Sequence, residues 1–290
     1  MKTPVLTMLA LVAFAANSVL CRLALGGAAI DAASFTSVRL ASGACVLLLI
    51  AAWANKHPQS LLPSLRRRIR FLSALLLFAY AAAFSYAYTG LTAGTGALVL
   101  FGSVQATMLL AALGSGERPH PWEWAGLLLA LAGLVYLVLP GVRAPPPVSS
   151  AFMAVAGISW GLYSLRGRGA QDPLAETTVN FVLALPPAFA VNLFMHGGAH
   201  VSTAGLVLAV LSGALASGVG YVVWYAALSG LTATRAATVQ LPVPLLAAVG
   251  GVLFLSENVS LRLLIAATLI LGGVALALFG RTRSSHPKAA

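Results

Sequence analysis

Long apolar runs, separated by short polar or basic connections, divide the whole chain into segments of similar length. A helix needs about 20 mostly apolar residues to cross the hydrocarbon core of a bilayer. By that measure the pattern predicts an all-α polytopic membrane protein of about ten transmembrane helices, with no separate soluble domain. The predicted spans are 4–25, 33–54, 70–91, 94–114, 122–140, 148–166, 175–195, 203–228, 235–255 and 260–279.

A pattern of small and polar residues in the first half of the chain recurs in the second half. Gly-Leu-Thr-Ala at 90–93 returns at 230–233, and Glu117 returns as Glu257, in each case 140 positions later. A repeat of this length indicates two related structural units. Each half holds five predicted spans, an odd number, so the second half should enter the membrane inverted. We therefore predict two inverted five-helix repeats, residues 1–143 and 144–290, around a central cavity, a plan typical of secondary transporters.

Composition supports the membrane assignment and limits the partners. Only 8% of residues are charged, against about 25% in soluble proteins. The net charge of +11 comes mostly from basic residues in connections and in the C-terminal tail, where Lys and Arg favour the cytoplasmic side. Both termini are therefore expected in the cytoplasm. The expected partners are the lipid bilayer and a small-molecule substrate; no groove-reading motif points to nucleic acid.

Polar and aromatic side chains inside the spans are the candidates for substrate contact, because polar groups are costly in hydrocarbon and usually face a cavity or another helix. Tyr80, Phe84 and Tyr88 recur every four residues along one helix face. Phe84 and Trp224 are equivalent in the repeat, so they should take matching places. For any single ring, ordinary helix packing is the alternative. The predicted substrate-binding residues are Asn17, Tyr80, Phe84, Gln105, Trp160, Tyr163, Tyr221, Trp224 and Gln240.

Helix-breaking residues and buried cations complete the set of candidates. Pro242 and Pro244 should interrupt the ninth span, and Gly102 is the repeat equivalent of Pro242, so these three residues are predicted hinges. Arg22 should either snorkel to lipid headgroups or pair with Asp31. The sequence leaves the role of the other membrane-embedded arginine open.

Several functions are disfavoured by what the spans lack. The six carboxylates lie in connections or near span ends, whereas a proton-coupled exporter of cationic drugs is expected to hold one at mid-membrane. Facilitated diffusion or weak coupling is therefore predicted. All five histidines lie in connections or tails, and neither H-E-x-x-H nor G-x-S-x-G occurs. No catalysis, metal or cofactor is expected, and an intramembrane enzyme or a scaffold is a remote alternative.

These features resemble the drug/metabolite transporter superfamily in its EamA-type branch, and within it the YddG-type exporters of aromatic amino acids. The resemblance rests on the paired Gly-Leu-Thr-Ala and Glu segments, on Trp160-Gly161 in the sixth span and on Arg39 in the second. Asn17-Ser18 departs from the Trp-Gly usual at that place. The resemblance implies that the first, third, fourth, sixth, eighth and ninth helices surround a cavity, and that aromatic amino acids and related metabolites are exported. Another cargo, such as a nucleotide sugar or a drug-like compound, is the alternative; phosphorylated cargo would need the embedded arginines.

Overall fold

The structure, a computed structural model, describes residues 2–54, 68–114, 121–139, 144–167, 170, 172–194, 200–228, 239, 240 and 242–284. Its regular elements are helices, and no strand pairs except one isolated bridge occur in this part of the chain. The helices described here are α1 (Lys2–Gly26), α2 (Ala32–Trp53), α3 (Arg68–Tyr88), α4 (Ala93–Gly114), α5 (Pro121–Val138), α6 (Pro147–Gly167), α7 (Pro173–Phe194), α8 (Thr203–Leu228), α9 (Val243–Leu255) and α10 (Leu261–Ser284).

The helices match the predicted spans and confirm a polytopic membrane protein. Six of them, α1, α2, α3, α6, α7 and α8, are long and apolar enough to cross a membrane by length and composition. The other four contain shorter apolar helical segments, Ala93–Met108, Trp124–Leu137, Val243–Leu255 and Leu261–Gly273. Glu117 and the second copy of the repeat signature, 230–233, lie outside the described residues.

The predicted hinge prolines lie at the start of α9 rather than within it. Pro242 is the N-cap, with φ −69° and ψ −18°, and Pro244 follows in the first turn. The first turn of a helix tolerates proline, because its N–H groups have no partner within the helix. Gly102 lies inside the continuous helix α4. Val239 is helical and residues 240 and 242 form a turn, so the two prolines lie where the helix of the predicted ninth span starts again; the hinge role of all three residues stays a prediction.

Equivalent helices of the two halves pack antiparallel. The Ser37 hydroxyl of α2 donates to the carbonyl of Ala188 in α7 at 3.1 Å. Asn192, later in α7, donates to Ser34, earlier in α2, at 3.4 Å. The start of α4 likewise lies beside the end of α9, and α5 runs against α10 in the same sense. Antiparallel packing of equivalent helices is what an inverted repeat requires.

The first helix of each half packs into the other half. Helix α1 contacts α8 and α9, and helix α6 contacts α3 and α4. Glycine makes the approach of α6 close: a Cβ added to Gly157 would lie 2.5 Å from the Leu100 carbonyl oxygen of α4. Small residues allow such backbone contact between helices in lipid. This exchange brings α1, α3, α4, α6, α8 and α9 together at the centre of the bundle.

Candidate functional site

A cluster of aromatic rings fills the centre where these helices meet. Trp160 of α6 lies 4.7 Å from Tyr221 of α8, 5.0 Å from Tyr80 of α3 and 5.5 Å from Phe14 of α1, between ring centroids. Phe14 also packs edge-on against Trp224 at 5.5 Å. Four helices from both halves therefore contribute to one continuous set of rings, which we call the aromatic cluster (Phe14, Tyr80, Phe84, Trp160, Tyr163, Tyr221 and Trp224).

Helical spacing explains how single segments supply several rings to the cluster. Positions four apart share a helix face, and Tyr80 and Phe84 lie 5.3 Å apart while Phe84 and Tyr88 lie 4.7 Å apart. Trp160 and Tyr163, three apart on α6, lie 5.7 Å from each other. Tilted and edge-on contacts of this kind add about 0.5–1.5 kcal/mol each beyond the burial of apolar area. The helix faces predicted from residue spacing are therefore the faces that pack against one another.

Arg39 of α2 lies beside the aromatic cluster, buried with 1% of its surface exposed. Its guanidinium donates three hydrogen bonds, all to hydroxyl groups: to Ser217 at 3.0 Å, to Tyr80 at 3.1 Å and to Tyr221 at 2.9 Å. Its carbon Cζ lies 5.1 Å from the ring centroids of both Tyr80 and Phe84, within the range of cation–π attraction. Among the described side chains, no carboxylate pairs with this cation.

A π-helical segment in α8, Ser212–Val219, positions polar groups toward the same centre. Ser212 donates to the Asn17 amide oxygen at 2.6 Å, and Ser217 accepts from Arg39. A π turn closes with an i→i+5 bond and an α turn with an i→i+4 bond. Ser212 and Ser217 are therefore one π turn apart, and Ser217 and Tyr221 one α turn apart, so the three share a face. Such π segments often mark functional sites.

Asn17 joins the polar groups to the rings. Its amide nitrogen donates to the Tyr80 hydroxyl at 3.3 Å, while its oxygen accepts from Ser212. Both ends of the amide are thus engaged by side chains from other helices. The Tyr80 hydroxyl accepts from both Asn17 and Arg39, which makes it the point where α1, α2 and α3 are linked.

The cavity at the centre is small in this structure. It has a volume of about 10 Å³ and is lined by Phe14, Ser18, Tyr80, Phe84, Leu100, Phe101 and Trp160. That volume is at or below the limit for one water molecule, so the expected central cavity is nearly filled by the rings. Among the described residues, the rings therefore leave little open volume at this point of the bundle.

The remaining predicted residues lie in the interior but away from the cavity wall. Gln105 and Gln240 are buried, with 7% and 0% of their surface exposed, and neither lines the cavity. The Tyr163 hydroxyl accepts from Asn180 at 3.4 Å. Trp224 packs on Phe14, while its equivalent Phe84 packs beside the guanidinium. Of the predicted substrate-binding residues, Tyr80, Phe84 and Trp160 are the ones that line the cavity.

Residues missed by sequence reasoning include Phe14, Ser212 and Ser217. A phenylalanine in an apolar helix looks the same whether it faces lipid or the interior, so Phe14 carried no signal. Arg39 was visible as an arginine within an apolar run, but its role was left open. The serines lie in the π segment, whose register the 3.6-residue period does not predict.

An ion pair closes one end of the bundle. Arg22 Nε lies 3.2 Å from Glu257 Oε1, with 22% and 12% of the two side chains exposed. The other Glu257 oxygen accepts from the backbone N–H of Ala93 at 2.8 Å, and Arg22 also donates to the Tyr88 carbonyl at 3.1 Å. The alternative that Arg22 pairs with Asp31 is therefore wrong; Asp31 instead caps α2 through Ser34.

Known proteins resemble this chain over about two thirds of its length or more. It is 51% identical over 280 residues to the uncharacterized protein PA1977 of Pseudomonas aeruginosa, covering 97% of this chain and 96% of the relative. It is 27% identical over 207 residues to a probable amino-acid metabolite efflux pump of Escherichia coli, covering 66% and 69%. It is 26% identical over 216 residues to a probable terminal-alkyne amino-acid exporter of Streptantibioticus cattleyicolor, covering 72% and 71%.

A solved structure matches the fold of this chain, and a family profile matches its sequence. A solved crystal structure superposes with a TM-score of 0.64 at 22% identity, covering 96% of this chain and 99% of the other. The profile of the EamA-like transporter family matches residues 1–139 and 149–279. This family comprises transporters rather than enzymes, in agreement with the aromatic and polar centre described above. The chain belongs to the EamA-like transporter family.

Proposed function

We propose that this transporter exports amino acids, aromatic ones especially, and related metabolites across the bacterial inner membrane by alternating access. The observation that carries the proposal is the convergence of aromatic rings from α1, α3, α6 and α8 on a centre that also holds Arg39 and Asn17. Rings offer an apolar, polarizable surface to an aromatic side chain. The polar groups suit the zwitterionic end of an amino acid.

The names of distant relatives support the same substrate class. Two relatives at 26–27% identity carry names that refer to amino-acid export. The preference for aromatic cargo comes from the ring content of the centre rather than from those names. Phe14, Tyr80 and Trp160 all line the small cavity, so a substrate that enlarges it meets these rings first.

Alternating access suits the arrangement of the two halves, which we place at residues 1–143 and 144–290. With the termini in the cytoplasm, the end closed by Arg22 and Glu257 faces outward. Opening this end and closing the other would then release substrate. In this proposal the halves rock about their interface, with Gly102, Pro242 and Pro244 as the hinge positions.

Phosphorylated cargo is less well supported than amino acids. A phosphorylated substrate carries more than one negative charge and calls for several cations. Arg22 is engaged by Glu257, which leaves Arg39 as the cation at the aromatic cluster in the described part of the chain. A singly charged acidic group matches that arrangement better than a nucleotide does.

A counterflow experiment in proteoliposomes tests the proposal. Liposomes with the purified protein are loaded in turn with unlabelled amino acids, sugar nucleotides and cationic drugs, and uptake of the same solute in labelled form is measured for each. We expect uptake to be driven by internal aromatic amino acids and not by nucleotides, with the substrate recovered chemically unchanged. Counterflow driven only by another class would replace the proposed cargo. Protein-free liposomes are the control, and failure of every solute would favour a scaffold.

A further inference from the structure

The guanidinium of Arg39 uses only part of its hydrogen-bonding capacity. Arginine has five N–H donors: Nε–H is given to Ser217, and the two on Nη2 to Tyr80 and Tyr221. Both N–H groups of Nη1 lack an acceptor among the described residues, although the atom is fully buried. Buried donors are almost always satisfied. Nη1 therefore marks a place where the described part of the chain supplies no acceptor for a buried donor.

The charge of Arg39 is also uncompensated. Its three partners are neutral hydroxyl groups, and no described carboxylate pairs with it. An isolated charge in a low-dielectric interior is strongly unfavourable unless an opposite charge accompanies it. Cation–π contact with Tyr80 and Phe84 offsets only part of that cost. A water molecule would accept a hydrogen bond from Nη1 but would not neutralise the charge. An anion supplies both an acceptor and an opposite charge.

We infer that Arg39 is the residue that binds the carboxylate group of the substrate, through its Nη1 hydrogens. This inference rests on the proposed function and adds to it the residue that recognises the acidic group. The two rings that contact the guanidinium, Tyr80 and Phe84, also line the central cavity. A carboxylate on Nη1 thus places the side chain of an amino acid among the rings.

The neighbouring groups hold the guanidinium in place for this role. The three hydrogen bonds that the guanidinium donates to hydroxyl groups on α3 and α8 fix its plane, and the backbone of α2 is held against α8 where Gly213 meets the Arg39 carbonyl. The amide of Asn17 is engaged by Tyr80 and Ser212. Both ends of this amide are therefore occupied, whereas Arg39 keeps donors for a carboxylate.

The test compares ligands that differ only in the carboxylate. Unlabelled L-phenylalanine, L-phenylalaninamide and phenethylamine compete for counterflow of labelled L-phenylalanine in proteoliposomes with the wild-type protein. Since the unused donors and the charge both favour an anion, we expect the two analogues to compete about tenfold or more weakly than phenylalanine. Equal competition by phenylalaninamide would overturn the assignment while leaving amino-acid export intact. Absence of any amino-acid exchange would instead remove the proposed function and this inference together.

Variants of Arg39 separate recognition from folding. We expect Arg39→Gln to reduce the ratio of the affinities for phenylalanine and its amide to near one. Arg39→Lys should keep a preference for the carboxylate. A merely structural role would lower the affinity for both ligands equally and leave their ratio unchanged, and that result would contradict the inference. Monodispersity in detergent is measured for each variant. If Arg39→Gln fails to fold, the ligand series on the wild type decides alone.

Discussion

Arg22 and Glu257, separated by 235 positions in sequence, form an ion pair with 3.2 Å between Nε and Oε1. The pair joins α1 of the first half to the end of α9 in the second. Glu257 also accepts the first backbone N–H of α4, where the positive end of the helix dipole favours a carboxylate. One side chain therefore holds three helices together at the closed end.

Glu257→Gln should open this end. Losing a charged acceptor costs about 1.5–3 kcal/mol, which favours the open state by roughly tenfold or more. The buried thiol of Cys21 lies one residue before Arg22, so it reports on opening. In a Cys45→Ser background, which removes the exposed thiol, we expect a water-soluble maleimide to label Cys21 about tenfold faster in Glu257→Gln.

Arg262→Gln is the control for that experiment. Arg262 lies at the same end and donates to the Leu139 carbonyl at 2.7 Å, so its loss removes a charge but leaves the ion pair. Labelling of Cys21 should match the parent protein. An unchanged rate in Glu257→Gln would show that the ion pair does not hold this end closed.

We expect Trp160→Ala to weaken the binding of aromatic substrates more than the loss of any other single ring of the aromatic cluster. Trp160 contacts Phe14, Tyr80, Tyr163 and Tyr221 and lines the cavity. If two or three contacts between the Trp160 side chain and the substrate ring are lost, at about 0.5–1.5 kcal/mol each, the KM for phenylalanine should rise by about tenfold.

Uptake kinetics in proteoliposomes measure this effect. Trp53→Ala is the control, because Trp53 is 90% exposed at the end of α2, and it should keep the parent KM. If both variants kept the parent KM, the aromatic cluster would be packing rather than a substrate site.

Gly213→Ala should destabilise the protein. An added Cβ would collide with the Arg39 carbonyl and the Ser42 hydroxyl, and overpacking of this kind costs about 1–3 kcal/mol. Gly272→Ala is the matched control, since no atom lies within 4 Å of a Cβ there. Thermal unfolding in detergent should show a lower Tm for the first variant and a parental or higher Tm for the second. Equal Tm values for both variants would mean that α2 and α8 tolerate separation.

Asp31 should make stability depend on acidic pH. Burial acts to raise its pKa, but hydrogen bonds from the backbone N–H groups of Ser34, His200 and Ala33 outweigh it, so the pKa is lowered from its ordinary value. A lowered pKa contributes stability above about pH 4 that is lost as pH falls through the folded-state pKa. Asparagine also caps a helix but carries no charge. The difference in Tm between wild type and Asp31→Asn should therefore shrink from pH 7 to pH 3; a constant difference would contradict this.

Transport should not require a pH gradient. Among the described carboxylates, Asp31, Asp172 and Glu257 lie at helix ends, and Glu257 is held by an arginine. None of these described carboxylates lies at mid-membrane, where an acid could carry a proton in exchange for substrate. Net uptake of phenylalanine into intact liposomes that carry a pH gradient should persist when a protonophore collapses that gradient. Complete loss of uptake under that treatment would establish obligatory coupling.

The spans and the central rings could be predicted from sequence because apolar length and four-residue spacing are local signals. Tyr80, Trp160 and Tyr221 were expected at one site and lie within about 6.4 Å of one another. The partner of Arg22 could not be predicted, because it depends on how two distant helix ends meet. The size of the cavity also escaped prediction, because the same rings can line a wide cavity or a narrow one.

The π segment of α8 has a consequence for how this fold diversifies. In a continuous α-helix, nine positions at about 100° each would put Ser212 and Tyr221 on opposite sides. Here the longer turn places both toward Asn17 and Arg39. Removing one residue from the segment would rotate Tyr221 and Trp224 away from the centre in a single event. The chemistry of the site is thus open to change by insertion and deletion as well as by substitution, and one length change in α8 replaces several ligand-facing groups at once.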